Sequence, residues 1–138
     1  VRLIKRIETL YKFHMDIREA TRSFERWLAT QVSIVQSDLR HKHVAMGVTP
    51  FCFLRATYYQ WAQLFPSLDA ITSKAPTVLA VGDLHLENFG TWRDSLGRLA
   101  WGINDFDEAF PLPYTHDLVR LATSTFAGNR SGSSKNTR

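Results

Sequence analysis

Residues 78–109 read VLAVGDLHLENFGTWRDSLGRLAWGINDFDEA, and the rest of the chain takes its meaning from this stretch. A short apolar run at 77–81 leads into GDLHLEN at 82–88, and a second at 98–103 leads into NDFDE at 104–108. Residues 89–92 have the composition of a strand, 93–97 (RDSLG) that of a turn, and 98–103 that of the return strand. The pattern predicts a β-hairpin flanked by two polar clusters that its strands place on the same edge. Transfer of a phosphoryl group to a hydroxyl needs a carboxylate at the nucleophile. It also needs divalent cations on the phosphates, held by a further carboxylate and often an amide. Asp83 and Asn88, followed 17 residues later by Asp105 in a D-F-D triplet, offer that set.

Around this stretch, 138 residues allow at most one ordinary domain. A hydrophobic content of 44%, with four Trp and nine Phe, argues for a packed interior rather than disorder. The single cysteine, Cys52, excludes a disulfide framework and a multi-cysteine zinc site. Between Phe51 and Phe53 it is expected as a buried thiol. No apolar run approaches the ~18–20 residues of a membrane span, and the N-terminus lacks the h-region of a signal peptide, so the expected location is cytoplasmic. The net charge of +4 hides a segregation. Residues 83–117 carry seven acids and two bases, a balance of −5, and the remainder carries +9. An acidic island in the motif-bearing segment suits a cation better than a nucleic-acid backbone, so nucleic acid is not an expected partner.

Taken in order, the apolar positions Phe13, Ile17, Ala20, Phe24, Leu28, Val35 and Leu39 predict an amphipathic helix over 11–45, broken near 30–33. The row Arg18, Arg22, Arg26 reads as its solvated face. The basic run at 40–43 complements the helix C-terminus, and its two alternating histidines diverge on a helix. Thr49 as N-cap and Pro50 at the first position predict a helix start, and residues 51–65 a buried helix. Arg55, its one charge, needs a carboxylate of the acidic island or a phosphate as partner. Residues 66–76 read as a loop and 77–81 as a short buried strand. Residues 111–113 (PLP) end the second cluster. Thr115 is the predicted cap of a further helix with Asp117 in its first turn, and the apolar-poor residues 128–138 read as a disordered tail.

The order of Asp83, Asn88, a hairpin and Asp105 before Phe106 is that of protein kinases and aminoglycoside phosphotransferases. GDLHLENF resembles their HGDLHPGN catalytic loop, INDFDEA their IDFDxA segment, and YTHDLVRLA the helix entry with a buried Asp that follows. More closely, PFCFLRA, VGDLHLENFG and INDFDEAFPLPYTHDLVRLATS resemble the bacterial "domain of unknown function 2252" family. That pattern runs SPFxFxRG, GDxHxxNFG, NDFDE and WDxxRLxxS, and the resemblance covers about residues 40–124. It implies a distant relative of the kinase-like fold, with Asp83 as catalytic base and Asn88 and Asp105 as Mg²⁺ ligands. Asp107 would be an auxiliary ligand, and Asp117 a structural acid, with Arg55, His85 and Arg120 in supporting positions.

The chain departs from the pattern at Val81, in place of the kinase-loop histidine, at Ala56, in place of a glycine, and at Tyr114-Thr115-His116. No GxGxxG loop and no strand-borne lysine partner occur in it. The expectation is therefore a truncated member holding half a site, inactive alone, with ATP bound only in a full-length protein and the phosphate acceptor undefined. In fold terms it is α+β, a partial kinase-like C-lobe over 1–127. Two alternatives stand beside it. One is a non-catalytic module in which Asp83 and Asn88 cap the loop and Asp117 pairs with Arg55 or Arg120. The other is a binuclear metallophosphoesterase-like hydrolase, since VLAVGDLH resembles that strand-DxH opening, with Asp83 and His85 on one metal and Asp105 or Asp107 bridging.

Overall fold

Asp16 caps the first helix by accepting the Arg18 amide at 3.4 Å, and the computed structural model describes the chain from there, over residues 16–68 and 74–133. Among these residues are five helices and two small antiparallel sheets, a mixed α+β arrangement. Helices α1 (Ile17–Gln31) and α2 (Gln36–Met46) replace the single amphipathic pattern. The break lies at residues 32–35, where Val32 is extended (φ −142°, ψ 157°). The part of the predicted helix before residue 16 lies outside the described residues. Arg18, Arg22 and Arg26 are exposed, and His43 bonds Glu25 at 2.5 Å to tie α2 to α1.

Thr49 accepts the Cys52 amide at 3.0 Å and opens α3 (Pro50–Ala56) with Pro50 in its first turn, as the sequence predicts. The predicted helix over 51–65 is two helices instead, α3 and α4 (Tyr58–Leu68). Thr57 divides them. Its hydroxyl takes the Phe53 carbonyl at 2.7 Å, and its own carbonyl accepts the Gln60 and Trp61 amides that begin α4. Neither helix is buried on all sides: Phe53 is exposed and Cys52 is only half-buried. Pro66 sits inside α4 rather than in a loop. Helix α1 packs on α4 through Phe24 and Tyr59, whose rings stack at 4.5 Å while Thr21 bonds the Tyr59 hydroxyl at 2.8 Å.

Strand β1 (Thr77–Ala80) delivers the first cluster, and β2 (Phe89–Arg93) with β3 (Leu99–Ile103) forms the predicted hairpin. Its register pairs Phe89 with Ile103 and Arg93 with Leu99. Asp94 accepts the Leu96 and Arg98 amides, both at 2.9 Å, and Gly97 takes φ +77° to close the turn. Strand β1 does not join this hairpin. It pairs antiparallel with β4 (Phe110–Pro113), a strand the sequence reading took for a terminator. Pro111 and Pro113 lack amides on the side away from β1, which is where a strand tolerates proline, and they close that edge to further pairing. With one partner strand only, β1 exposes Val78 and Leu79, so it is not the buried strand expected. Helix α5 (Thr115–Ser133) begins at the predicted cap residue itself and continues beyond Gly128, where an end to order was expected. A Cβ at Gly128 would lie 3.6 Å from Leu86, so the helix there rests on the first cluster.

The described interior is small and polar. Ala20, Phe65, Ala80, Val81 and Leu84 are its buried apolar residues, while Arg120, His116 and Ser124 are its largest fully buried side chains. No helix among the described residues is long and apolar enough to cross a membrane. Replacing Thr49 by Ala removes the α3 cap and is expected to cost about 1 kcal/mol in urea-unfolding stability. An unchanged midpoint would show that Pro50 alone starts the helix.

Candidate functional site

The first cluster turns on Gly82, whose φ is +90° and whose Cβ, if present, would lie 2.3 Å from the Glu108 carbonyl and 2.9 Å from the Tyr58 hydroxyl. Only glycine fits this close crossing of the two clusters. Asp117, in the first turn of α5, accepts the Val81 amide at 2.7 Å and the Gly82 amide at 3.0 Å. Burial would raise its carboxyl, but the His116 ring and these two amides outweigh burial and hold it below the ordinary carboxylate range. Trp61 donates its indole N–H to His116 Nε2 at 3.1 Å. Because an indole only donates, this bond leaves the His116 proton on Nδ1, 3.5 Å from Asp117 Oδ1. A line of contacts thus runs from α4 through α5 to the loop backbone.

Asp83 follows. Its Oδ1 receives Arg120 Nε at 3.0 Å and a second, shorter bond from Arg120 Nη2. Nη2 also donates to the Leu54 carbonyl at 2.7 Å. The Arg120 side chain has no solvent exposure, against 21% for Asp83. Its guanidinium carbon lies 5.0 Å from the Trp61 ring centre and 5.4 Å from that of Tyr58. Burial is the largest influence on Asp83 and raises its carboxyl above the ordinary value, although Arg120 opposes it. Arg120 itself is lowered by burial against the pull of Asp83.

Beyond Asp83 a single 3₁₀ turn, Leu86–Asn88, is closed by its own side chains. His85 Nδ1 accepts the Glu87 amide at 3.2 Å, and the His85 amide donates to Asn88 Oδ1 at 2.6 Å. Buried against Phe51, the His85 ring is pushed toward its neutral form, by burial first and by Arg55 next. Asn88 then joins the two clusters: its carbonyl accepts the Asn104 amide at 2.9 Å, and its Nδ2 lies 3.4 Å from Asp105 Oδ2. Asp105 Oδ1 accepts the Asp107 amide at 3.3 Å. Among the described residues no three His, Cys, Asp or Glu side chains are gathered as a ready metal cage.

A cavity of about 320 Å³ opens beside Asp83, with Lys42, Arg55, Tyr58, Tyr59 and Glu108 on its walls. Burial raises the Glu108 carboxyl, and Asp83, Asp107 and Asp105 raise it further. Burial and then Glu108 push the Tyr58 hydroxyl up to about 12. A larger hollow of about 840 Å³ lies along the charged faces of α1 and α2 and includes neither cluster.

Of the residues singled out in the sequence, Asp83 and Arg120 meet, as do Asn88 and Asp105, and Asp107 follows within the same turn. Arg55 bonds Glu87 at 2.6 Å, an acid of the expected island, although both partners are exposed. Asp117 pairs with neither Arg55 nor Arg120 and is engaged by backbone amides. The sequence assigns no role to Tyr58 or Trp61, places Lys42 only in the basic run at a helix end, and counts Glu108 only among the acids of the island. Trp61 and His116 stand 55 residues apart, and only the position of His116 next to Asp117 signals its part.

The sequence model of a family described as "Uncharacterized protein conserved in bacteria (DUF2252)" matches residues 34–138. No curated protein matches the chain, and no solved structure does.

Asp117 is held below the ordinary carboxylate value in the folded chain. Its ionised form therefore contributes stability in full above about pH 5, and the contribution is lost as pH falls through the folded value. Asp117→Asn is expected to cost about 2–4 kcal/mol at neutral pH. The gap to wild type should narrow in unfolding curves taken between about pH 5 and pH 3, and a gap independent of pH would exclude a charged anchor.

Proposed function

This chain belongs to the DUF2252 family of bacterial proteins, and we propose that it supplies the base-and-cation half of a Mg²⁺-dependent, kinase-like phosphotransfer site. The carrying observation is the Asn88–Asp105 contact, 3.4 Å across the base of the hairpin, which sets the two clusters side by side next to Asp83. In the proposed reaction Asp83 accepts the proton of an acceptor hydroxyl. The hydroxyl oxygen forms a bond to the γ-phosphorus of ATP, and the bond from that phosphorus to ADP breaks. A carboxyl raised by burial is a stronger base than an ordinary one. Arg120 engages Asp83 through Oδ1 and so fixes the orientation of the carboxylate toward the substrate side.

A divalent cation fits the charge of the second cluster, where it would offset the repulsion that Asp83, Asp107 and Asp105 exert on Glu108. Asp105 and Asp107 are exposed and suited to hold it. Bound there, Mg²⁺ would offset charge on the phosphates. Asn88 fits best as the group that orients Asp105, because its amide oxygen is engaged by the His85 amide and its Nδ2 faces Asp105. No GxGxxG loop occurs in these residues, and the nucleotide-holding half is proposed to lie outside them.

Two other readings meet this geometry differently. A binuclear phosphoesterase would need His85 on a metal, yet its Nδ1 accepts a backbone amide and the ring is 2% exposed. A non-catalytic module is favoured by the Asp83–Arg120 pair, which also serves as a structural clamp. Two measurements separate these. In calorimetry with Mn²⁺, Asp105→Asn is expected to weaken binding at least tenfold and Asp83→Asn to change it less than twofold. Equal affinity in Asp105→Asn and wild type removes the cation site. In a protein that joins these residues to a nucleotide-holding half, Asp83→Asn should lower ADP release from Mg²⁺-ATP by about 10²–10⁴-fold. Release at the wild-type rate would leave the structural clamp as the role of Asp83.

A further inference from the structure

We infer that the acceptor is a small hydroxylated anion, bound in the cavity beside Asp83 with its carboxylate or phosphate against Lys42 and Arg55; this rests on the phosphotransfer reading above. Two adjoining hollows, of about 320 and 360 Å³, share four wall residues: Lys42, Arg55, Ala56 and Asp83. The proposed base and two cations thus border the same space, which is of the size that takes a small metabolite. Lys42 reaches this space over a platform, its ammonium 5.2 Å from the Phe24 ring centre and 5.5 Å from that of Tyr59. The cation–π contact holds the ammonium without neutralising it, and among the described residues no carboxylate pairs with it.

Arg55 bonds Glu87, but both side chains are well exposed, at 45% and 60%. Exposed ion pairs contribute little, so an incoming anion displaces Glu87 at small cost. Much of the cavity wall is apolar, from Phe24, Ala56 and the two tyrosines, and its charged residues are of both signs: Lys42 and Arg55 from α2 and α3, Asp83 and Glu108 from the two clusters. An acceptor with an anionic group and a hydroxyl sets the anion at Lys42 and Arg55 and the hydroxyl at Asp83. A polycationic acceptor meets Lys42 and Arg55 with repulsion.

The test uses the isotope-labelled chain titrated at low salt with glycerol 3-phosphate, glycerate, glycerol and ethanolamine, followed by the amide and ring signals of Ala56, Tyr58 and Tyr59. The expected result is saturable shifts with glycerol 3-phosphate, glycerate or both, none with glycerol or ethanolamine, and loss of binding at 0.5 M salt. Which anion binds more tightly distinguishes a phosphate from a carboxylate acceptor. Lys42→Gln and Arg55→Gln, on exposed or half-exposed positions, should each weaken binding at least fivefold with an unchanged melting temperature. Tighter binding of glycerol or ethanolamine than of either anion overturns the inference, as does binding indifferent to both substitutions. Mn²⁺ titrated in parallel separates the two claims. Mn²⁺ binding at Asp105 without anion binding removes the acceptor class alone, and anion binding without Mn²⁺ binding removes the phosphotransfer reading while leaving an anion site.

Discussion

A guanidinium with no solvent exposure must be paired, and Arg120 makes the rest of the fold answer to that requirement. Removing one partner of a buried ion pair costs ~3–5 kcal/mol, because the other charge is left stranded. Arg120 belongs to α5, Asp83 to the first polar cluster and Leu54 to α3, so the bonds made by Nε and Nη2 of one side chain fix three segments against one another, while its Nη1 has no partner among the described residues. Trp61 and Tyr58 of α4 complete the enclosure through their rings. The apolar interior described around it amounts to five buried residues, too few to set these elements by packing alone. Directional bonds do much of the positioning that a hydrophobic core does elsewhere.

The second anchor, Asp117, complements the first. Arg120 holds the Asp83 side chain, and three residues earlier on the same helix Asp117 holds the Val81 and Gly82 amides that lead into it. Successive turns of one helix therefore grip the backbone and the side chain of the same loop. The two carboxyls end with opposite biases. His116 and two backbone amides hold Asp117 below the ordinary carboxylate range, while burial outweighs Arg120 and leaves Asp83 raised. An acid that stays charged for structure beside an acid that retains basicity is the division expected where two carboxylates serve different ends.

The hairpin and its flanking acids were legible because each is local. Asp94 and Gly97 carry the turn in four residues, and Asn88 and Asp105 meet as a direct result of strand register. The division of the aromatic segment at Thr57 was not legible. Thr57 leaves the helical backbone there (φ −120°, ψ 29°), and no breaker residue in the sequence marks the position. Strand β4 was hidden by its prolines, which mark breakers unless the outer edge of a sheet is known to face them. Helix α5 passes Gly128 close to Leu86 and Phe51, neighbours from distant segments that no local pattern reveals. The acids of the site could be named in advance, but their partners could not: Arg120 is 37 residues from Asp83, and Trp61 is 55 from His116.

The overlap of interior and site has a consequence for genetics. In most folds the residues that tolerate nothing for stability and those that tolerate nothing for activity form separate maps, one apolar and one polar. Under the proposed phosphotransfer reading, Arg120, His85 and Asn88 would appear on both. A loss-of-function screen of this protein would score its scaffold and its chemistry as one set, and only abundance measured beside activity, variant by variant, would pull them apart.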